Sequence, residues 1–154
     1  MDLREFKELT ENKRIYLDGA TGSELQKRGM PSGVCPDLWI SENPEVLIGL
    51  QLEYLRAGSQ IIYSPTFTAN RIKLSEFGLE KRVYELNKTL TGLSKEAISR
   101  YRKENPDASP RYVAGDLTMT GKSVGSGGEL SFEELIDVYQ DGSGRCQLRS
   151  CSGT

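Results

Sequence analysis

The chain has 154 residues, enough for one ordinary domain, and its 20 basic and 22 acidic side chains leave a net charge of −2. That balance excludes the basic excess that a nucleic-acid or anionic-membrane surface requires, and no apolar run is long enough to span a bilayer. With 36% apolar residues, no histidine and a sparse, odd set of three cysteines, the chain can build only a modest core, cannot assemble Ser–His–Asp or Cys–His catalysis, and does not read as a disulfide framework. The charged N-terminus does not resemble a signal peptide, so the expected location is the cytoplasm.

Residues 2–12 read as a short amphipathic helix, with Leu3, Phe6 and Leu9 at three-residue spacing. Ile15 to Leu17 is the expected first strand. It ends in Asp18, and Gly19-Ala20-Thr21-Gly22 follows as a glycine-rich turn before a brief helical segment at Ser23–Lys27. In an α/β protein such a run delivers a carboxylate to the rim of a sheet. The turn can face backbone N–H groups toward a ligand, and the next helix adds partial positive charge. A site of this kind can hold both ends of an amino acid, with Asp18 on the ammonium and the turn amides on the carboxylate. Acidic residues and glycine also dominate ordinary turns, so a plain turn cap is the alternative.

An irregular loop through Gly29, Pro31, Gly33, Cys35 and Pro36 comes next. Asn43-Pro44-Glu45 is a strong helix start with Asn43 at the N-cap. That helix runs to Ala57, with Val46, Leu47, Leu50, Tyr54 and Ala57 on one face, and Gly58 stops it. Gln60 to Tyr63 is a short buried strand, and Ser64-Pro65-Thr66-Phe67-Thr68 is the loop at its C-terminal end. A helical block from Ala69 to Glu76 precedes the longest helix, Glu80 to Lys103, whose basic last turn suits the helix dipole. Tyr112 to Ala114 is the third strand, ending at Gly115-Asp116-Leu117-Thr118, and Lys122 to Gly128 is a Gly/Ser loop. Ser131-Phe132-Glu133-Glu134 is a capping box that opens a helix reaching about Gln140.

Residues 1–140 thus read as part of one α/β domain. Residues 141–154 lose the apolar period and read as a tail, either disordered or out-of-frame sequence appended to a truncated domain. The helix before them has an unfinished apolar face of Phe132, Leu135, Ile136 and Tyr139. Strands alternating with helices imply a parallel sheet. An open doubly wound sheet lacks support, because Gly19 and Gly22 do not match the G-x-G-x-x-G spacing. A full (β/α) barrel needs roughly 250 residues. Three strands would be less than half of one, with exposed strand edges through which the chain could self-associate.

Several ordered stretches resemble one family. Asp18-Gly19-Ala20-Thr21-Gly22-Ser23-Glu24-Leu25-Gln26-Lys27-Arg28-Gly29 is similar to the first-strand motif of the homocysteine S-methyltransferases. Trp39, Asn43-Pro44-Glu45-Val46, Tyr54-Leu55-Arg56-Ala57-Gly58 and Thr66-Phe67-Thr68-Ala69-Asn70 resemble its next landmarks, in order and at similar spacing. Asn70-Arg71-Ile72-Lys73-Leu74 most resembles the homocysteine-binding N-terminal module of cobalamin-dependent methionine synthase. The similarity spans residues 13 to 140.

The resemblance implies a parallel (β/α)8 TIM barrel of which the first three βα units are present. It implies homocysteine as substrate and zinc, held by three cysteines, to make the thiol a thiolate. A free thiol with a pKa of about 8.5 needs such help at neutral pH. The thiolate then takes a methyl group, in methionine formation, from cobalamin on another module, a sulfonium or a betaine. By the same resemblance Asp18 holds the substrate ammonium, Gly19, Ala20 and Thr21 lie near its carboxylate, and Thr66, Phe67 and Thr68 line the same mouth. Asp116 and Thr118 stand at the equivalent end of the third strand.

The departures are equally specific. The family's Gly-Gly-Asn-Cys and Gly-Gly-Cys-Cys motifs do not occur, Cys35 lies where the family has no ligand, and Cys146 and Cys151 form only a weak Cys-x4-Cys pair. The expected metal ligands and catalytic residues are therefore none. The leading reading is a methyltransferase fragment inactive on its own. A non-catalytic half-barrel binding or oligomerisation module and a nucleotide-binding domain are the rivals.

Overall fold

The computed structural model describes residues 3–11, 14–118 and 120–147. Its helices are α1 (Leu3–Thr10), α2 (Gly22–Lys27), α3 (Pro36–Glu42), α4 (Pro44–Ala57), α5 (Arg71–Ser75), α6 (Val83–Glu104) and α7 (Phe132–Gln147), with one 3-10 turn at Glu80–Arg82 leading into α6. Its strands are β1 (Ile61–Ser64) and β2 (Tyr112–Gly115). They pair in parallel, Ile61 opposite Tyr112 and Ser64 opposite Gly115.

The expected first strand is reduced to a single parallel bridge, Leu17 opposite Ile61. Both hydrogen bonds of that bridge are nonetheless made: Ile61 N donates to Tyr16 O at 3.3 Å and Asp18 N to Ile61 O at 3.1 Å, with Gln60 N also donating to Tyr16 O at 2.8 Å. Three parallel segments therefore lie side by side in chain order, with β1 in the middle and the C-terminal ends of all three on one side.

β1 is short and apolar because both of its faces have work to do. Ile62 is fully buried against Ile48, Leu52 and Leu55 of α4 and Ala97, Ile98 and Tyr101 of α6. Tyr63 points the other way and is 38% exposed. A second cluster joins Leu47 and Leu50 of α4 to Leu25, Ile40 and Leu90. Helix α4 is thus buried on two sides. The single face expected from periodicity misplaces Ala57, which is exposed, and omits Ile48, Leu52 and Leu55.

Two local features differ from expectation for identifiable reasons. Helix α3 is only seven residues long and begins at a proline after a loop, so no period marks it. Asn43 does not cap α4 with its side chain; its Nδ2 donates instead to Trp39 O at 2.9 Å and closes α3. Other signals hold. Gly58 ends α4 with φ of 112°, a conformation that costs other residues a Cβ clash. Glu134 N donates to Ser131 Oγ at 3.1 Å and Ser131 N to Glu134 Oε2 at 2.8 Å, a reciprocal capping box at the start of α7.

Helix α7 runs on to Gln147, beyond its expected end near Gln140, and Asp141 is held by Arg71 Nη1 at 2.7 Å. The rest of the expected tail, residues 148–154, lies outside the described residues. Val138 is the buried anchor of α7, while Phe132 and Ile136 stay exposed. Among the described residues no helix is long and apolar enough to cross a membrane.

Ile62 and Ile136 make a direct test of which apolar faces are used. Ile62→Ala should cost about 2–5 kcal/mol of unfolding free energy in denaturant melts, and Ile136→Ala should stay within about 0.5 kcal/mol. Comparable losses at both sites would show that α7 is packed on the wrong side.

Candidate active site

The site begins where the chain leaves the sheet. In a parallel ladder the bond after Asp18 N to Ile61 O would run from Tyr63 N to the Asp18 carbonyl, and the next from residue 20 to Tyr63 O. Neither backbone bond forms. Asp18 Oδ2 accepts from Tyr63 N at 3.0 Å, and Gln51 Nε2 from α4 donates to Tyr63 O at 2.9 Å. Two side chains thus take over the β1 edge, and the main chain of residues 18–20 is free to turn away. The carboxylate is left at the C-terminal end of its segment with Oδ1 buried and without a hydrogen-bond partner. Burial pushes the Asp18 carboxyl above the usual carboxylate range, outweighing the N–H groups of Tyr63 and of Asp18 itself.

The turn that follows is held by Tyr54. Its hydroxyl donates to Ala20 O at 2.8 Å. A Cβ on Gly19 would lie 2.9 Å from Tyr54 Cε1 and 2.9 Å from its hydroxyl oxygen. Gly19 is needed for this close approach, not for a left-handed backbone, since neither it nor Gly22 has positive φ. Thr21 precedes α2 with helical backbone angles, and its side chain makes no capping bond.

Thr66, Phe67 and Thr68 form a second group on the loop after β1. The buried Thr66 hydroxyl donates to Asp116 O at 3.0 Å and accepts from Asp116 N at 3.2 Å, which ties the ends of β1 and β2 together. Phe67 O accepts from Thr118 Oγ1 at 3.2 Å. The Phe67 side chain, with Leu117, Val138 and Tyr139, lines a void of about 10 Å³, too small for a substrate. Thr68 Oγ1 donates to Asp37 Oδ2 at 2.6 Å. Both threonine hydroxyls are therefore engaged inside the protein, and the two groups stand on adjacent parallel segments at the same end of the sheet.

Asp37 was not singled out by the sequence. An acidic residue just after a proline at a helix start looks like surface charge favourable to the dipole. Yet Asp37 is fully buried in the first turn of α3. Its Oδ2 takes the Thr68 hydroxyl and, at 3.8 Å, the Cys35 thiol, and its Oδ1 has no partner. Burial raises the Asp37 carboxyl above its ordinary range, outweighing the Thr68 hydroxyl that favours the charged form, and burial likewise raises the Cys35 thiol.

Comparison with known proteins settles the lineage. The family model for homocysteine S-methyltransferase matches residues 15–146. The chain belongs to that family. It is 32% identical over 136 residues to the homocysteine S-methyltransferase of Escherichia coli strain K12, covering 82% of this chain and 42% of that protein. The crystal structure of the E. coli homocysteine methyltransferase MmuM in its metallated form superposes with a TM-score of 0.66 at 31% identity, covering 75% of this chain and 42% of that one. The apo form gives 0.64 at 29% identity, with 87% and 45% covered. The chain thus spans about two fifths of the length of these relatives, and its mixed α/β architecture with parallel strands is shared with them.

The described residues of this homocysteine S-methyltransferase family member do not fit a zinc ion. Among them no three His, Cys, Asp or Glu side chains gather. Cys35 is buried, its thiol is held toward the neutral form, and it faces a carboxylate instead of further sulfur ligands. The side chain of Cys146 and the whole of Cys151 lie outside the described residues.

Two substitutions test this geometry. Gly19→Ala should destabilise by about 1–3 kcal/mol, because backbone and a tethered aromatic ring collide. Combining it with Tyr54→Ala should recover part of that loss; strictly additive losses would show that the ring is not what excludes a side chain. For Asp37 the sign follows from its raised pKa. The folded state binds the proton more tightly than the unfolded state, so this carboxyl favours folding at low pH and the contribution is lost as pH rises through the folded pKa. Asp37→Asn keeps an acceptor for Thr68 and should flatten that part of the stability–pH curve. An unchanged curve in urea melts would mean that Asp37 titrates normally.

Proposed function

We propose that this chain supplies the amino-acid-gripping part of a homocysteine S-methyltransferase, built as the first three βα units of a parallel (β/α)8 barrel. The observation that carries the reading is Asp18. It is a carboxylate at the C-terminal end of a parallel segment, with one oxygen fixed by Tyr63 N and the other buried and unpartnered. An ammonium group is the natural complement to such an oxygen, since it donates up to three hydrogen bonds and offsets the desolvated charge. Barrel enzymes place their sites at this end of the sheet. Family membership and the order of the three parallel segments support the same arrangement.

In this reading Asp18 Oδ1 takes the ammonium of homocysteine, and Gly19, Ala20 and Thr21 pass beside its carboxylate on the turn that Tyr54 holds. Thr66 and Thr68 act as braces that set the Phe67 loop at the same mouth. Zinc and the methyl donor, cobalamin among the candidates, belong to the family's cysteine motifs and further modules. This sequence lacks those motifs, so no sulfur activation is derived for it. The chain alone forms no methionine, and the setting is cytoplasmic methionine biosynthesis. A second reading, a non-catalytic half-barrel module, draws on the uncovered apolar side chains Leu17 and Tyr63.

Titration calorimetry of the full 154-residue chain with L-homocysteine under reducing conditions tests the grip. Affinity should rise as pH climbs through the raised Asp18 pKa and then level off, because only the ionised carboxylate attracts the ammonium. Asp18→Asn should weaken binding by about 10- to 100-fold, roughly 1.5–3 kcal/mol, and remove the pH dependence. Equal affinity in wild type and Asp18→Asn would discard the assignment. Methionine formation by the isolated chain with added zinc would discard the division of labour.

A further inference from the structure

Helix α4 carries two side chains that act on the turn after Asp18. Gln51 and Tyr54 are one helical turn apart, so both project from the same side of α4. Gln51 Nε2 donates to Tyr63 O at 2.9 Å, and the Tyr54 hydroxyl donates to Ala20 O at 2.8 Å. Tyr63 O is the acceptor at which a longer parallel ladder would receive Ala20 N. Gln51 occupies that acceptor, and Tyr54 ties the Ala20 carbonyl to α4 instead. Ala20 is exposed, and its N–H has no acceptor among the described residues.

The state of the Gln51 amide shows what it is for. The residue is 1% exposed, and its Oε1 is buried without a partner. Turning the amide over would set Oε1 against the Tyr63 carbonyl, oxygen to oxygen, so the N–H end is fixed where it is. A buried acceptor left empty is costly, and an apolar side chain of similar length would avoid that cost. Core packing alone therefore does not call for glutamine at this position. The N–H aimed at Tyr63 O does.

We propose that Gln51 is a positioning residue for the amino-acid site: by occupying Tyr63 O it stops the ladder at Ile61 and so keeps the Asp18 carboxylate on Tyr63 N. Without it, Ala20 N takes Tyr63 O and the Asp18 carbonyl takes Tyr63 N. The carboxylate is then displaced from the place where it meets an ammonium. The inference rests on the assignment of Asp18 to a substrate ammonium. The blocking of the ladder, however, belongs to the free protein and is measured without substrate.

Gln51→Met in the full 154-residue chain provides the test. It loses the N–H but also removes the empty buried oxygen, so the urea midpoint should stay close to wild type. Amide hydrogen exchange is the first readout. The Ala20 N–H should exchange freely in wild type and slow by about tenfold or more in Gln51→Met, as the ladder closes on it. A merely structural loss would loosen the chain and leave that amide fast. Titration calorimetry with L-homocysteine is the second readout, and affinity should fall by about tenfold or more at nearly unchanged stability. Gln51→Leu, which also lacks a donor, carries the same expectations and guards against a methionine variant that does not fold. An Ala20 amide already protected in wild type, or one that stays fast in both folded variants, overturns the proposal. So does homocysteine affinity that Asp18→Asn lowers and the Gln51 variants do not, which leaves the role of Asp18 standing. Wild-type affinity in Asp18→Asn overturns the role of Asp18 and the proposal with it, whatever the exchange rates at Ala20.

Discussion

The bond on which the site depends is the one from Tyr63 N to Asp18 Oδ2. It replaces the backbone bond that would have continued the parallel ladder. With Gln51 occupying Tyr63 O on the same residue, β1 keeps both of its polar groups satisfied without a strand beside them. Unsatisfied backbone groups are costly when buried, so a chain can leave a sheet at this depth only if side chains take its place. That substitution releases residues 18–20 to turn under Tyr54. It also holds the Asp18 carboxylate still at the C-terminal end of its segment.

The second group of residues is organised by the same logic of side chains bonding to main chain. Thr66 grips both polar groups of Asp116 and so fixes the end of β1 relative to β2. Thr68 reaches inward to Asp37, a carboxyl that burial holds toward its neutral form. The loop between the strands and the helix layer is therefore braced from two sides. Two buried carboxyl oxygens, Asp18 Oδ1 and Asp37 Oδ1, are left unpartnered in this arrangement. Of the two, only Asp18 stands at the rim of the sheet, at the end of its parallel segment, while Asp37 lies in the first turn of α3.

The helix layer is more complete than the sheet it covers. Helices α4 and α6 bury one face of β1 fully, through Ile62, while Leu17 and Tyr63 on the opposite side remain open to solvent. A parallel sheet with one bare face is unusual, because strands of this kind are ordinarily buried on both sides.

Much of this was legible along the chain. The alternation of short apolar runs with long periodic helices set the parallel α/β class. Gly58, the Ser131–Glu134 box and the run from Asp18 to Gly29 marked a helix end, a helix start and the lineage, because each depends on a few adjacent residues. What adjacency could not reveal is who occupies a hydrogen-bonding group forty residues away. Asn43 sits in the sequence as a cap for the helix after it, yet its side chain closes the helix before it. Gly19 has the look of a turn residue, yet its role is to make room for Tyr54. Asp37 carried no mark of burial at all. Local sequence determines which elements form, since propensity and capping act over a turn or two. Only the tertiary packing decided which carboxylates lose their water and which of their oxygens is left without a partner, because desolvation is a property of everything packed around a group.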